Sequence, residues 1–319
     1  MNIKEAQELA DNKINTKVLN IETIDLGADS KTYRIITQKE NYILRTGGKR
    51  SNYDVEHAIL RILLTKNVKV PVPVSEFIDS NDPDLSYSLQ EELPGEDLFR
   101  NGMAESLWPR LLEQVGENMR RVYAFELFGF GPISTEKFRS NGELVGSFNS
   151  YEQFVNYYFD SRVEKFIEKV HQDEANNFKN SNLNKRQIEK VLEIINRLPE
   201  VTERMQNYLS NFLPEGKLVH GDFHPQHILI DKGNLTGIID FNNTLIAEPL
   251  FDIAYWSIMP RGKYYKELAK RAGVKIDKER FSLYRLVISI AKLHTRYVTF
   301  NYLAQYPEIL DFALDELNK

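Results

Sequence analysis

The spacing of apolar residues changes character along the chain, and each change marks an element. Ile3, Ala6, Leu9 and Ala10 return at helical intervals, which predicts a short leading helix over 3–15. The period then drops towards two: residues 21–26, 32–37 and 42–46 read as strands, with a turn at 38–41, so a small antiparallel sheet is expected. Val55, Ile59, Ile62 and Leu63 share one side of a helix over 53–64. Val70-Pro71-Val72-Pro73-Val74 cannot continue a central ladder and reads as an edge or an extended connector. A strand over 86–93 stops in Pro94-Gly95, which places a hinge at 91–96 and a lobe boundary beside it.

Beyond the hinge the pattern is mainly helical. Leu107, Leu111, Leu112, Val115, Met119 and Val122 form a stripe near 3.6 spacing, and helices are also expected over 151–170, 185–209, 281–302 and 307–317. Residues 172–184 are polar and read as an exposed connection, and 128–132 (FGFGP) as a packed, glycine-broken turn. Glu248-Pro249-Leu250-Phe251-Asp252 opens another helix with Asp252 near its start. The exception is 217–240, where a short strand precedes His220-Gly221-Asp222. Two apolar runs, HILID and LTGIID, then flank a hairpin signal at Lys232, Gly233 and Asn234. The class is α+β, with domains over 1–92 and 93–319.

Composition narrows the partners. With 319 residues and 42% hydrophobic content the chain is long enough for two sizeable cores. A net charge of -5 argues against nucleic acid as a partner and leaves room for a cationic ligand. There is no cysteine, so disulfides, thiolate metal sites and cysteine nucleophiles are excluded. The N-terminus lacks the apolar core of a signal peptide and no run approaches a membrane span, so a cytoplasmic protein without a membrane partner is expected.

The candidate chemistry gathers in 217–240. Asp222, on a loop after a strand, is suited to accept a proton from a substrate hydroxyl. If the two apolar runs pair, His227 and Asp240 end on neighbouring strand mouths, as ligands of a divalent ion would. Beside Gly221, His220 reads better as a residue that holds the loop than as a base. His224 reads as a loop residue and Asp231 as the start of the turn. Elsewhere the signals are weaker: residues 26–31 either cradle a polyphosphate or reverse the chain. Arg45 on a strand and Glu56 on the next helix are either an ion pair aimed at phosphate or two unrelated charges.

These residues carry a resemblance. His220-x-Asp222-x4-His227, then Ile238-Ile239-Asp240, then Pro249-Leu250-Phe251-Asp252-Ile253-Ala254, resembles the aminoglycoside phosphotransferase family; Arg45, Glu56 in NYDVEHAIL and the hinge QEELPG extend the likeness over most of the chain. The resemblance implies a bilobal protein-kinase-like fold, with a small antiparallel-sheet N-lobe that binds nucleotide and a larger, mostly helical C-lobe that holds substrate. It implies transfer of the γ-phosphate of ATP or GTP, with Mg2+ or Mn2+, to a hydroxyl of a small molecule. Asp222 would be the catalytic base and Asp240 a metal ligand, with Arg45 on the phosphates and Glu56 its helix partner. Ser30 would lie in the nucleotide loop, and Glu91 and Leu93 would offer backbone groups to the purine.

Two positions depart from the family's pattern. His227 stands where the metal-binding asparagine is usual, as it does in macrolide kinases of the same family, and Ala247-Glu248 replaces a common Gly-Asp. An aminoglycoside-type antibiotic is the first expectation for the acceptor, because Glu308, Asp311, Asp315 and Glu316 with Asp160, Glu164 and Glu168 would line a cleft attractive to a polycation. The same charges also suit solvated helix faces, and a macrolide or a sugar-like metabolite stays open as the acceptor. A catalytically inactive nucleotide-binding relative is the alternative from another class. A protein kinase proper is disfavoured because Asp240 is followed by Phe241-Asn242 and no Ala-Pro-Glu lies downstream. The protein is expected to be a monomer.

Overall fold

The computed structural model of the chain describes residues 1–24, 30–47, 52–79, 81–102, 105–179, 181–209, 212–259, 262–299, 303 and 308–318. The part of the expected nucleotide loop at 26–29 lies outside them. In order run α1 (Ile3–Lys13), β1 (Val18–Ile24), β2 (Lys31–Thr37), β3 (Asn41–Thr46), α2 (Tyr53–Thr65), β4 (Pro73–Phe77), β5 (Tyr87–Glu91), β6 (Glu96–Asp97), α3 (Trp108–Val122), β7 (Phe130–Ile133), α4 (Thr135–Asn141), β8 (Gly146–Phe148), α5 (Tyr151–Ala175) and α6 (Lys185–Leu209). There follow β9 (Lys217–Val219), β10 (Ile228–Asp231), β11 (Asn234–Ile238), β12 (Leu245–Ala247), α7 (Leu250–Ser257), α8 (Tyr265–Ala272), α9 (Lys278–His294) and α10 (Glu308–Leu317).

Two compact units form. The first comprises 1–122, 135–144 and 225–244, and the second 123–134, 145–224 and 245–319. Neither is continuous in sequence, and the expected hinge at 91–96 lies inside the first.

In the first unit a five-stranded antiparallel sheet runs β1-β2-β3-β5-β4, with the proline-bearing β4 at its edge. A missing N–H is tolerated there. Alternation sends Tyr33, Ile35, Tyr42, Leu44 and Leu89 to one face, where they pack on Ala6 and Ala10 of α1. A capping box starts that helix: the Asn2 side chain accepts from the Glu5 backbone N–H, and the Glu5 carboxylate accepts from that of Asn2. Period two therefore turns Arg45 and Ser88, which are register partners, to the opposite face with α2.

A second, three-stranded sheet runs β11-β10-β6. Its hairpin closes on Lys232 and Gly233, with φ of 49° and 76°. Two consecutive left-handed residues match the twist of the flanking strands. Gly95 lets β6 pass close to β10, since a Cβ there would sit 2.2 Å from the Ile230 carbonyl oxygen.

The second unit is helical around a four-stranded sheet ordered β8-β7-β12-β9. Tyr151 and Phe154 of α5, Phe251 of α7 and Tyr284 of α9 stack edge-on or tilted in its core. The expected packed turn at 128–132 is corrected: Phe130–Ile133 is a strand paired with both β12 and β8, and Phe128 is exposed. Positive φ at Gly129 and Gly131 bends this strand without removing it, so its glycines read as turn residues in sequence. The segment 172–184 begins as helix, because α5 continues to Ala175.

Candidate active site

Within the first unit, one cluster joins four of the residues singled out in the sequence. Arg45 on β3 contacts Glu56 on α2 as an ion pair, and its Nη1 lies 3.5 Å from Asp240 Oδ1. His227 Nε2 lies 3.4 Å from Asp240 Oδ2. The hairpin brings the last two together: Ile228 pairs with Ile238, so His227 just before β10 and Asp240 just after β11 end at the same mouth. The Ile239 N–H donating to the His227 carbonyl at 3.0 Å fastens it. Asp240 itself adopts φ 65° and ψ 58°, a left-handed conformation uncommon for aspartate, at the head of a short helical turn over Phe241–Asn243. Such backbone outliers concentrate at functional sites.

Electrostatics in this cluster are set by burial. It opposes the Arg45 charge, but Glu56 and Asp240 outweigh it and raise the guanidinium above its ordinary value. The Glu56 carboxyl is pushed up by burial, with Arg45 offsetting this only in part. Direct contact with the guanidinium favours the charged form of Glu56 against its burial. Arg45 Nε is buried and has no hydrogen-bond partner among the described residues. A buried donor of that kind is costly unless a ligand satisfies it.

The fit to a divalent ion with polyphosphate is therefore good: one carboxylate and one imidazole converge, and a fixed cation with an unsatisfied donor stands beside them. Ser30 shares a side-chain hydrogen bond with the Tyr53 hydroxyl, which donates to the Gly47 carbonyl. Glu91 has its N–H committed to the Val72 carbonyl, and its carboxyl is raised by burial and by Glu40. Leu93 packs over Gly237, where an added Cβ would fall 2.3 Å from Leu93 Cδ1.

Asp222 belongs to the second unit, on the loop after β9. Asp252 is fully buried at the start of α7 and accepts from the His220 N–H at 2.8 Å, the Gly221 N–H at 2.9 Å and the Tyr123 hydroxyl at 3.2 Å. One carboxylate thereby fixes the backbone immediately before Asp222. Burial pushes the Asp252 carboxyl up to about 7 even though these three donors lower it. His220 is buried, and its Nδ1 accepts from the Asp222 N–H at 3.3 Å. This suits a loop-holding histidine.

Around the Asp222 side chain stand Tyr255 and Lys292, to which the sequence did not point, and His224, expected there only as a loop residue. The Tyr255 hydroxyl donates to Oδ1, Lys292 Nζ lies 3.2 Å from the same oxygen, and His224 Nε2 lies 3.7 Å from it. Asp252 and Tyr255 lie three apart on α7, a spacing legible in sequence as one helix face. Lys292 follows Asp222 by seventy positions, and no local pattern ties them.

Three of the seven acids expected to line a cationic cleft are engaged inside this unit. Asp311 pairs with Lys190, Glu308 lies 3.8 Å from Arg296, and Glu316, itself buried, lies 2.9 Å from Arg285. Asp160, Glu164 and Glu168 are exposed along α5.

Comparison with known proteins fits this arrangement. The chain is 21% identical over 288 residues to hygromycin-B 4-O-kinase of Escherichia coli, covering 86% of this chain and 74% of that one. It is 30% identical over 109 residues to the uncharacterized protein YcbJ of Bacillus subtilis (strain 168), a match spanning 31% of this chain and 33% of that protein. Among solved structures, a thermostable mutant of aminoglycoside phosphotransferase APH(4)-Ia, in ternary complex with AMP-PNP and hygromycin B, superposes with TM-score 0.69 at 16% identity over 98% of both chains. The GDP complex of aminoglycoside 2'-phosphotransferase-IIIa gives TM-score 0.63 at 19% identity over 99% of this chain and 98% of that one. The fold is thus the kinase-like α+β fold of these proteins. Residues 20–284 match the model of the phosphotransferase enzyme family APH, and the chain belongs to that family.

Proposed function

We propose that this protein transfers the γ-phosphoryl group of ATP or GTP to a hydroxyl of a sugar-bearing, aminoglycoside-type small molecule, acting as a cytoplasmic monomer. Residues 1–92 would carry the nucleotide and 93–319 the catalytic loop and the acceptor. The observation that carries this reading is the meeting of Arg45, Asp240 and His227 at one hairpin mouth, with the buried Arg45 Nε left for a ligand. Among the described residues no helix is long and apolar enough to cross a membrane.

Asp240 and His227 would hold a divalent ion, which supplies neutralisation of the polyphosphate charge. Arg45, steered by Glu56, tethers the phosphates. The Glu91 carbonyl and the Leu93 backbone meet the purine, and Ser30 borders the phosphates. Asp222 orients the acceptor: the hydroxyl oxygen attacks the γ-phosphorus, the bond to the β,γ-bridging oxygen breaks, and the nucleoside diphosphate leaves while the hydroxyl proton passes to the Asp222 carboxylate. The transition state of such transfers is loose, so positioning and charge do most of the catalysis.

The test is acceptor-dependent nucleotide consumption over a panel of hydroxylated antibiotics and sugars. Asp222→Asn and Asp240→Asn should each lower it by about 100-fold or more without changing the thermal unfolding profile. Wild-type rates in Asp222→Asn would remove the assignment of the base.

A further inference from the structure

Asp222 shares its carboxylate with a cation of the protein's own. Lys292 projects from α9 so that Nζ is 3.2 Å from Asp222 Oδ1, and the Tyr255 hydroxyl donates to that same oxygen. The Lys292 ammonium also lies 4.6 Å from the centroid of the Tyr255 ring, which closes a triangle of carboxylate, phenol and ammonium. His224 stacks on Tyr255, ring centroids 6.3 Å apart at 16°, with its Nε2 3.7 Å from the same Asp222 oxygen. Lys292 and Asp222 are only 21% and 19% exposed, so solvent screens the pair weakly. Of the negative charges of α10, which would favour a polycation, Asp311, Glu316 and Glu308 are meanwhile engaged by Lys190, Arg285 and Arg296, and Asp315 is exposed.

We infer that Lys292 is a positioning residue that sets acceptor specificity: it holds Asp222 by one oxygen and reserves the surroundings of the reacting hydroxyl for neutral or anionic groups. A hydroxyl flanked by an ammonium brings a second cation to a carboxylate already paired, in a site where like charges repel strongly. This rests on Asp222 being the residue that orients the acceptor. It sharpens the reading above, because a sugar-bearing acceptor would have to present a hydroxyl remote from its amino groups. Weakening Asp222 as a base is tolerable in this chemistry, since the carboxylate serves chiefly to orient.

The test compares full-length wild type, Lys292→Met and Lys292→Arg on matched probes: hygromycin B and kanamycin, each as the ammonium form and fully N-acetylated. Calorimetric binding with AMP-PNP and Mg2+ is read beside kcat and KM. In Lys292→Met the preference for ammonium over acetylated forms should rise by about tenfold or more, through binding and KM rather than through kcat. Lys292→Arg should retain the wild-type preference. Where wild type binds none of the probes, a gain of the ammonium forms alone in Lys292→Met supports the inference, and no gain overturns it. An unchanged preference ratio overturns it too, as does tight wild-type binding of ammonium forms that Lys292→Met leaves unaltered. Thermal unfolding checks each variant, and Lys292→Gln replaces Met if that variant fails to fold. Metal-dependent nucleotide hydrolysis by wild type, with water in place of the acceptor, is measured separately. Its presence shows that the chain cleaves metal-bound nucleotide, whereas no nucleotide consumption with water or with any acceptor of the wider panel would sink the kinase reading and leave the binding comparison standing.

Discussion

At the scale of single residues, His227 is the position on which the metal preference of the proposed site turns. Its Nε2 is 3.4 Å from Asp240 Oδ2, so an ion held by Asp240 would meet an imidazole as well as a carboxylate. Imidazole is a softer donor than oxygen and suits manganese better than magnesium. His227→Asn should therefore lower the Mg2+ concentration needed for half-maximal stabilisation or turnover, on the order of tenfold, while changing the Mn2+ requirement little. Titration of each ion against the unfolding midpoint, at fixed AMP-PNP, reads this without relying on turnover. A variant whose Mg2+ and Mn2+ curves both match wild type would show that His227 does not ligate the ion. Residue-level signals in the sequence went this far because His227 and Asp240 flank a hairpin whose register is fixed by Ile228 opposite Ile238. Lys292 was not legible for the opposite reason: its approach to Asp222 depends on how α9 packs, and no spacing rule spans that distance.

At the scale of elements, α7 anchors the proposed catalytic loop through the single carboxylate of Asp252. Its folded-state value of about 7 stands above the ordinary aspartate value of 3.8 because burial outweighs the three donors. Between those values the folded protein keeps a proton that the unfolded chain has released. This group's contribution to stability is therefore full below about 3.8 and is lost as pH rises through about 7. Asp252→Asn removes that titration, so the stability of wild type relative to the variant should decline from pH 4 to pH 7. Denaturant midpoints across that range measure it, and a relative stability that climbs with pH would refute the assignment. Near pH 4 the variant should be the less stable, by about 1–3 kcal/mol, because its amide N–H faces a donor of the loop. Long periodic elements were legible from sequence alone: α6 occupies the span its apolar stripe predicts, 185–209. α9 begins earlier than its apolar run, since Asp277 caps a polar first turn that the stripe does not reveal. The strands β7, β8 and β12 have only four, three and three residues, too few for an alternation to register.

At the scale of the whole molecule, the two compact units divide the proposed chemistry. Arg45, Glu56, His227 and Asp240 fall in the first, Asp222 and its partners in the second. The division does not follow the chain, which leaves the first unit after Val122 and returns to it for 135–144 and 225–244. Residues 225–244 carry both proposed metal ligands, so the first unit's site depends on a segment that follows the Asp222 loop in sequence. Removing the chain beyond the hinge would therefore remove the metal donors, and a fragment of residues 1–92 should not bind metal-nucleotide as the full chain does. For the full chain, AMP-PNP with Mg2+ or Mn2+ at about 100 times its Kd should add about 2.7 kcal/mol of stability, a rise of roughly 5 °C in Tm for a protein of this size. Asp240→Asn should abolish the metal-dependent part of that rise, whereas Asp222→Asn, which alters only the acceptor side, should preserve it. Equal loss of the shift in both variants would mean that nucleotide binding and acceptor orientation are not separated in this way, and the assignment of distinct roles to the two aspartates would fall with it.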